Sequence, residues 1–276
     1  MVGRGLSRRR WCRLIPYFSI PVKYIGPLPL DPWGTAVCIG FVVGLELARA
    51  RGIKTGLDVR NVVDGIVATI GMGFVVGHLV HVLAYHYEDV FLKQGIISLF
   101  KVWEGLSSFG GFLGAAIGAV GFYKFVRKEP FWPYADAIMY GFPFGWVFGR
   151  IGCFLAHDHI GRLTDFPLAV NYPPNHFFRG DPGGPRWDLG LNEVLWCSVI
   201  AVLFLVLGRK ARAPGFFVML WCLLYAPVRF GFDFLRNTDL ASADTRWSGL
   251  TPAQWGCIVM FGIGVALVPR VRRASA

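Results

Sequence analysis

The chain has 276 residues, of which 54% are hydrophobic, and its mean hydropathy is +0.49. This composition excludes an ordinary soluble domain and indicates a polytopic membrane protein. The net charge of +11 does not indicate a nucleic-acid partner, because most lysines and arginines lie in short connectors between apolar runs. The six cysteines lie mostly inside apolar segments at unrelated spacings, so we expect neither a disulfide framework nor a zinc site.

The first 32 residues form a separate N-terminal segment that is too broken to span a membrane. It carries five arginines, but Pro16 and Pro21 interrupt its apolar run, so a cleaved signal peptide is not expected. We expect this segment, residues 1–32, to be extracytoplasmic. Its arginines favour the opposite side, and the conflict is resolved by the connectors that follow.

Seven apolar segments are long enough to cross a hydrocarbon layer of about 30 Å, which takes about 20 helical residues. They predict an all-α polytopic membrane domain over residues 33–269, followed by a basic cytoplasmic tail at 270–276. The predicted transmembrane helices are Trp33–Arg49, Val62–Ala84, Gly105–Val126, Tyr134–Ala156, Leu191–Leu207, Gly215–Leu235 and Pro252–Val268.

Basic residues follow the first, third, fifth and seventh predicted spans, which places those four stretches in the cytoplasm. The C-terminus is then cytoplasmic and the N-terminus lies outside. Two of the outer connectors are long. Residues 85–104 predict an arm along the membrane surface, with Trp103 at headgroup level, and the Pro- and Gly-rich residues 157–190 predict a small extracytoplasmic cap.

The third predicted span carries a stripe of small residues. Such a stripe lets a neighbouring helix approach closely, so helix packing is the ordinary explanation of Gly110, Gly111, Gly114, Gly118 and Gly121. Lipid or substrate contact at the outer pair, Gly110 and Gly111, is compatible with that explanation.

Polar residues from several spans gather at the outer membrane face. The set comprises Arg150, His157, Asp158, His159, Glu193, Tyr225, Arg229, Asp233 and Arg236. Two arginines on different helices suit an oxyanion such as a phospholipid phosphate, because a guanidinium binds such groups in bidentate fashion. The alternatives are a snorkelling Arg150 without a ligand and a purely structural Arg229–Asp233 ion pair.

Two other polar groups suggest structural roles. Asp136 lies near the cytoplasmic start of the fourth span, where a carboxylate is favoured by the helix dipole. His78 and His81 share a face of the second span, but no carboxylate lies at metal-ligand spacing from them, so a metal site is not expected there.

Five segments together resemble the bacterial prolipoprotein diacylglyceryl transferases. The match runs in order from about Trp33 to the C-terminus, and it rests on Arg150 to Leu155, Gly105 to Gly111, Pro185-Arg186 with Glu193, Tyr225 with Arg229 to Arg236, and Gly249 to Thr251 with Gln254-Trp255.

This resemblance implies a seven-span enzyme of the bacterial inner (plasma) membrane. Such an enzyme transfers the diacylglyceryl group of phosphatidylglycerol to the lipobox cysteine thiol of a prolipoprotein, with membrane lipids around it and no metal or cofactor. It implies that Arg150 and Arg229 hold the lipid phosphate. It also matches the family's residue types at Glu193, Tyr225, Asp136 and Arg236.

Four positions depart from the family pattern. Cys153 stands where asparagine is common, Asp158 and Asp233 replace glutamates, and Phe109 replaces a histidine. Phe109 cannot move a proton, so we expect Asp158, His157 or His159 to remove the proton of the substrate thiol. The thiolate is the attacking form, and two nearby guanidinium groups favour it.

Two other functional classes stay open at the level of sequence. A catalytically silent relative could bind lipid or preprotein without transfer, as Phe109 suggests. An anion transporter could use the two arginines as its site, although the polar groups lie at one face rather than at the midplane and no internal repeat is visible.

Overall fold

The computed structural model describes residues 14–85, 87–101, 105–240 and 246–275, so Trp103 and the arginines of residues 1–13 lie outside these ranges. The described chain is mostly helical. Its long helices are α1 (Pro32–Lys54), α2 (Val59–Val80), α3 (Ser108–Gly121), α4 (Phe131–Ala156), α5 (Leu189–Leu207), α6 (Phe216–Phe232) and α7 (Pro252–Ser275).

Within the described residues, six helical segments are long and apolar enough to cross a membrane, which makes this a multi-pass membrane protein. They are Val59–Ala84, Phe109–Arg127, Phe131–Ala156, Leu189–Leu207, Phe216–Leu235 and Pro252–Ala274. Helix α1 has 23 residues but carries Glu46, Arg49, Arg51 and Lys54 in its second half, and these charges make it less apolar than the six.

Helices α1 and α4 pack through two pairs of glycines spaced four residues apart. A Cβ atom added to Gly40 would lie 2.5 Å from the carbonyl oxygen of Gly145, and one added to Gly141 would come closer still to that of Gly44. These approaches leave no room for any side chain. The two backbones therefore touch over the middle of both helices, as small residues allow in membrane proteins.

The glycine stripe predicted on the third span packs against α2. A Cβ at Gly114 would clash with the Met72 carbonyl oxygen, and one at Gly118 would approach that of Ala68 to 2.8 Å. Gly110 faces Val80 in the same way, at 2.7 Å. The prediction of close helix packing is confirmed for these three positions, whereas a Cβ at Gly121 would meet no described atom within 4 Å.

Short polar side chains fix where several helices begin. Asp31 accepts a hydrogen bond from Gly34 N at 2.7 Å, and Asp188 accepts one from Leu191 N at 3.1 Å. Thr251 and Gln254 form a reciprocal capping box at the start of α7, with bonds of 3.0 and 3.2 Å. Each cap satisfies backbone N–H groups that have no partner inside the helix.

One end of the helix bundle collects the basic connectors. Arg51 donates to the Gly208 carbonyl oxygen at 2.8 Å, and Arg127 pairs with Asp64. Asp136, expected to favour the start of its own helix, instead accepts from Phe217 N at 2.9 Å and Val218 N at 3.1 Å. It therefore caps α6, a helix about 80 residues further along the chain, and its role is structural, as predicted.

The opposite end carries a small sheet, which corrects the prediction of an all-α fold. Strands β1 (Ile15–Pro16), β4 (Ile160–Leu163), β5 (Val170–Tyr172) and β6 (Gly184–Asp188) run in the order β1-β5-β6-β4, and β2 (Lys23–Ile25) pairs with β3 (Leu28–Leu30). The strands have two to five residues, too few for an alternating pattern to be recognised. Strand β1 pairs in parallel with β5, so the N-terminal segment and residues 157–190 lie at the same end.

The loop after α6 is attached to this sheet. Asn237 Nδ2 donates to the Ile160 carbonyl oxygen at 2.9 Å, and Arg186 Nη1 donates to Asp239 Oδ1 at 3.0 Å. The Arg186 hydrogen bond lowers the pKa of Asp239.

Residues 87–100, within the predicted surface arm, form short helical turns. Several apolar side chains of this stretch are exposed, among them Leu92, Ile96, Ile97 and Phe100. The ring nitrogens of His78 lie 2.8 Å from the Ser98 carbonyl oxygen and 2.9 Å from that of Gly105. His78 therefore ties this stretch to α2, which gives it a structural role.

Candidate active site

The ends of three helices meet below the small sheet and bring buried charges together. Arg150 comes from the last turns of α4, Glu193 from the first turns of α5, and Arg229 from the last turn of α6. All three side chains are buried. A buried charge is tolerated only when it is paired, so the pairing decides what this cluster can do.

Glu193 bridges the two arginines. Its Oε2 lies 2.9 Å from Arg150 Nε, and its Oε1 lies 3.2 Å from Arg229 Nε. Glu193, which is 1% exposed, therefore brings two guanidinium groups from separate helices to one carboxylate. The sequence brought these residues to one membrane face but did not indicate that Glu193 stands between the arginines.

Aromatic residues complete the walls of the cluster. Tyr225 donates a hydrogen bond to Glu193 Oε2 at 2.7 Å, and its ring stacks on Trp221 with 4.5 Å between centroids. The Arg150 guanidinium carbon lies 4.6 Å from the centre of the Trp146 ring. Such rings exclude water while still attracting a cation, which strengthens the electrostatic interactions inside.

Asp233 and the start of α7 hold Arg229 from its other side. Asp233 pairs with Arg229 Nη1 and accepts a hydrogen bond from Thr251 Oγ1. Gln254 Nε2 donates to the Phe230 carbonyl oxygen at 3.2 Å. The predicted Arg229–Asp233 pair is thus present, and it positions an arginine that also reaches Glu193. Across Arg150, Arg229, Glu193 and Asp233 the formal charges cancel.

Cys153, Asp158 and His159 lie beside Arg150. Arg150 Nη1 is 3.7 Å from Cys153 Sγ and 3.2 Å from His159 Nε2, while His159 Nδ1 bonds Asp158 Oδ1. Burial lowers the pKa of His159, but hydrogen bonds to Asp158 and Cys153 raise it by more than burial lowers it, so that the pKa is about 9. The Arg150 contact opposes protonation, because a guanidinium only donates and needs an unprotonated Nε2. The hydrogen bond from Arg150 therefore belongs to the neutral form of the ring, with its proton on Nδ1, which is the form that could act as a base.

His157 lies apart from this dyad. It takes the left-handed conformation that ends α4, and its Nδ1 lies 2.8 Å from Asp188 Oδ2. Its ring packs among Tyr17, Phe18 and Tyr172. His157 thus joins the end of α4 to the start of α5, and its predicted part in proton removal stays a prediction.

The remaining predicted positions surround the cluster. Arg236 pairs through its backbone with Gly161 of β4, which joins the end of α6 to the small sheet. Gly110 is explained by its contact with α2, while a Cβ added to Gly111 would lie 4.0 Å from the Gly73 carbonyl oxygen, an ordinary contact distance. Substrate contact at Gly110, Gly111 and Arg236 stays a prediction.

Phe109, which stands at the position of the family histidine, carries no polar group. Its ring is 43% exposed and lies 3.3 Å from where a Cβ of Gly256 would be. Together with Val80, Trp247 and Trp255 it lines an apolar cavity of about 330 Å³. This position therefore presents an apolar surface, and proton transfer has to be carried by other residues.

Comparison with known proteins shows the family to which the chain belongs. The profile of the prolipoprotein diacylglyceryl transferase family matches residues 21–270. The chain belongs to this family. The matched region contains every candidate site residue named above, from Gly110 to Arg236.

Similar relatives span most of the chain. It is 35% identical over 233 residues to the phosphatidylglycerol–prolipoprotein diacylglyceryl transferase of Pasteurella multocida, covering 81% of this chain and 83% of that protein. It is 31% identical over 263 residues to the protein of the same name from Solidesulfovibrio magneticus, with 92% and 95% covered. The corresponding values for Chromohalobacter salexigens are 32% over 256 residues, with 90% and 91% covered.

Proposed function

We propose that this protein transfers the diacylglyceryl group of phosphatidylglycerol to the lipobox cysteine of prolipoproteins. The observation that carries the proposal is the buried Glu193 with an arginine from a different helix on each of its oxygens. Family membership supplies the substrates, since the relatives are named for phosphatidylglycerol and prolipoprotein. The product is a thioether, and glycerol phosphate leaves.

Arg150 and Arg229 hold the lipid phosphate in this proposal. Glu193 lies against the Nε atom of each arginine, Asp233 pairs with Arg229 Nη1, and Arg150 Nη1 contacts His159. A phosphate would therefore use the Nη2 groups and take Arg150 Nη1 from His159. Charge that builds on the departing phosphate is then stabilised in a site shielded from water. Tyr225 and Asp233 keep the acidic and basic partners in place, so little reorganisation is needed during the reaction.

The Asp158–His159 pair accepts the thiol proton. Substrate phosphate draws Arg150 away from His159 Nε2, and the ring then becomes a stronger base because the opposing positive charge has moved. The proton passes from sulfur to Nε2, the sulfur forms a bond with the glycerol carbon, and the bond from that carbon to the phosphate oxygen breaks. Asp158 stabilises the imidazolium that results.

We also propose the full membrane arrangement: seven spans including α1, with the arm and cap outside and the tail in the cytoplasm. Helix α1 lies along α4, which spans the membrane by length and composition. The basic connectors gather at one end, which supports a cytoplasmic position there. The pairing of β1 with β5 supports an N-terminus on the cap side. The family supports the bacterial inner membrane as the location.

The test is a membrane assay with phosphatidylglycerol and a lipobox peptide. Arg150→Ala and Arg229→Ala should each abolish transfer while the protein still inserts, because each removes half of the phosphate site. Arg162→Ala, an exposed arginine at the same end, is the matched control and should keep its rate. Normal transfer by either buried variant would refute the phosphate clamp.

The second candidate is a silent relative, which Phe109 favours because it removes a titratable group from the outer end of α3. Binding of both substrates without transfer by the wild-type protein would select it. If the protein neither binds nor transfers these substrates but carries anions across vesicle membranes, it is a transporter. Transfer itself excludes both alternatives as the main activity.

A further inference from the structure

Three different metal-ligating groups converge where α4 ends. The ligand atoms of Cys153, Asp158 and His159 all lie within 4.8 Å of one another. A thiol, a carboxylate and an imidazole are the donors that Zn²⁺ accepts, and three protein ligands with one open position are a common zinc arrangement. We infer that Cys153, Asp158 and His159 form an inhibitory site for a thiophilic divalent cation such as Zn²⁺.

The turn at the end of α4 creates this cluster. His157 takes a left-handed conformation with φ of 50°, and Asp158 N reaches back to the Cys153 carbonyl oxygen at 3.4 Å. The chain therefore reverses over the last helical turn, and residues 158 and 159 return beside Cys153. The spacing Cys-x₄-Asp-His matches no familiar zinc signature, which is why the sequence predicted no metal site.

Arg150 covers the face on which a cation would bind. Its Nη1 lies 3.7 Å from Cys153 Sγ and 3.2 Å from His159 Nε2, so a guanidinium and a metal ion cannot both occupy that position. Glu193 offers Arg150 a separate partner at 2.9 Å when it withdraws. The cation binds Cys153 as the thiolate, and the thiol proton passes to solvent.

Inhibition follows because the cation engages the proposed base and displaces half of the phosphate site. The claim of inhibition rests on the proposed function, whereas the claim that the cation binds does not. A cation at His159 occupies the lone pair that would accept the thiol proton. Bound Zn²⁺ therefore blocks two steps at once.

Binding is tested on the full-length protein in detergent with Co²⁺ and Zn²⁺ alone. Co²⁺ should give a thiolate-to-metal charge-transfer band that Zn²⁺ abolishes. Cys153→Ser and His159→Ala should each weaken Zn²⁺ binding more than about 100-fold, since even the loss of an outer-shell partner costs roughly 10–100-fold. Cys38→Ser, which removes an exposed thiol on α1, should bind Zn²⁺ as the wild type does. Thermal unfolding shows that each variant is folded.

An absent charge-transfer band, or equal Zn²⁺ affinity in folded Cys153→Ser and His159→Ala variants, would overturn the site. Inhibition is tested by transfer assays with Zn²⁺ and with a chelator. Zn²⁺ should inhibit the wild type and Cys38→Ser, and the chelator should restore both. Binding without inhibition would refute the inhibitory role. A wild type without transfer under any condition would refute the proposed function and leave the binding result intact.

Discussion

Replacing Glu193 with glutamine tests the centre of the site, because it keeps the shape of the side chain and removes its charge. Unit charges 2.9 and 3.2 Å apart attract by about 5–6 kcal/mol each at an effective dielectric constant of about 20. The cost of burying those charges offsets most of this attraction. Removing one partner leaves the others uncompensated, which costs about 3–5 kcal/mol in buried ion pairs. We expect a destabilisation of that size.

The assay is reversible denaturation in mixed micelles, which gives the free energy of unfolding. Glu129→Gln is the matched control, because Glu129 lies at the opposite end and accepts one hydrogen bond from Asn61 at 3.2 Å. It should change the free energy of unfolding by less than about 1 kcal/mol, as partly exposed sites usually do. Equal stabilities of Glu193→Gln and the wild type would refute the view that Glu193 holds the two arginines together.

Three further predictions concern the proposed base, the contact between α1 and α4, and the N-cap of α7. Asp158→Asn removes the main hydrogen bond that raises the pKa of His159. The acid limb of the pH–rate profile should therefore move to lower pH, and the limiting rate should fall. An unmoved limb would exclude His159 as the base. Gly141→Val should destabilise the folded protein by at least about 1–3 kcal/mol, because the added Cβ meets the Gly44 carbonyl oxygen. Gly149→Ala on the same helix should be tolerated, since its Cβ would meet no described atom within 4 Å. Thermal unfolding compares the two variants. Thr251→Val should lower the free energy of unfolding by about 1–2 kcal/mol, because the N-cap hydrogen bond of α7 is lost. It should also raise the KM for phospholipid if Asp233 positions Arg229, since Thr251 donates to Asp233. An unchanged KM would show that this hydrogen bond does not influence the site.

The helices and the shared polar face were predictable because they depend on local composition. Long apolar runs and polar residues at helical spacing indicate spans and a common face without knowledge of any contact, whereas the sidedness drawn from the basic connectors stays a prediction. Arg150, Glu193 and Arg229 were placed at one face for this reason. Their order, with the carboxylate between the arginines, depends on how three helices rotate against one another, and no local pattern records that rotation.

Other features were missed because their cause lies far along the chain. Asp136 lies in α4 but caps α6, so its partner could not be inferred from neighbouring residues. Gly40, Gly44, Gly141 and Gly145 form close contacts only because α1 and α4 are adjacent. The division between His157 and His159 arises from one left-handed residue, which sends two nearby histidines to different partners.

The pairing of β1 with β5 also sets an order for assembly. Ile15 cannot meet Val170 until the ribosome has made the four long helices between them and, in the membrane arrangement proposed above, residue 170 has crossed the membrane. Until then the start of the chain has to wait without its sheet partner while later segments insert. Closing this long-range contact is slow relative to helix formation, so truncated chains that stop before residue 170 should reach the membrane yet leave their first strand open to added protease.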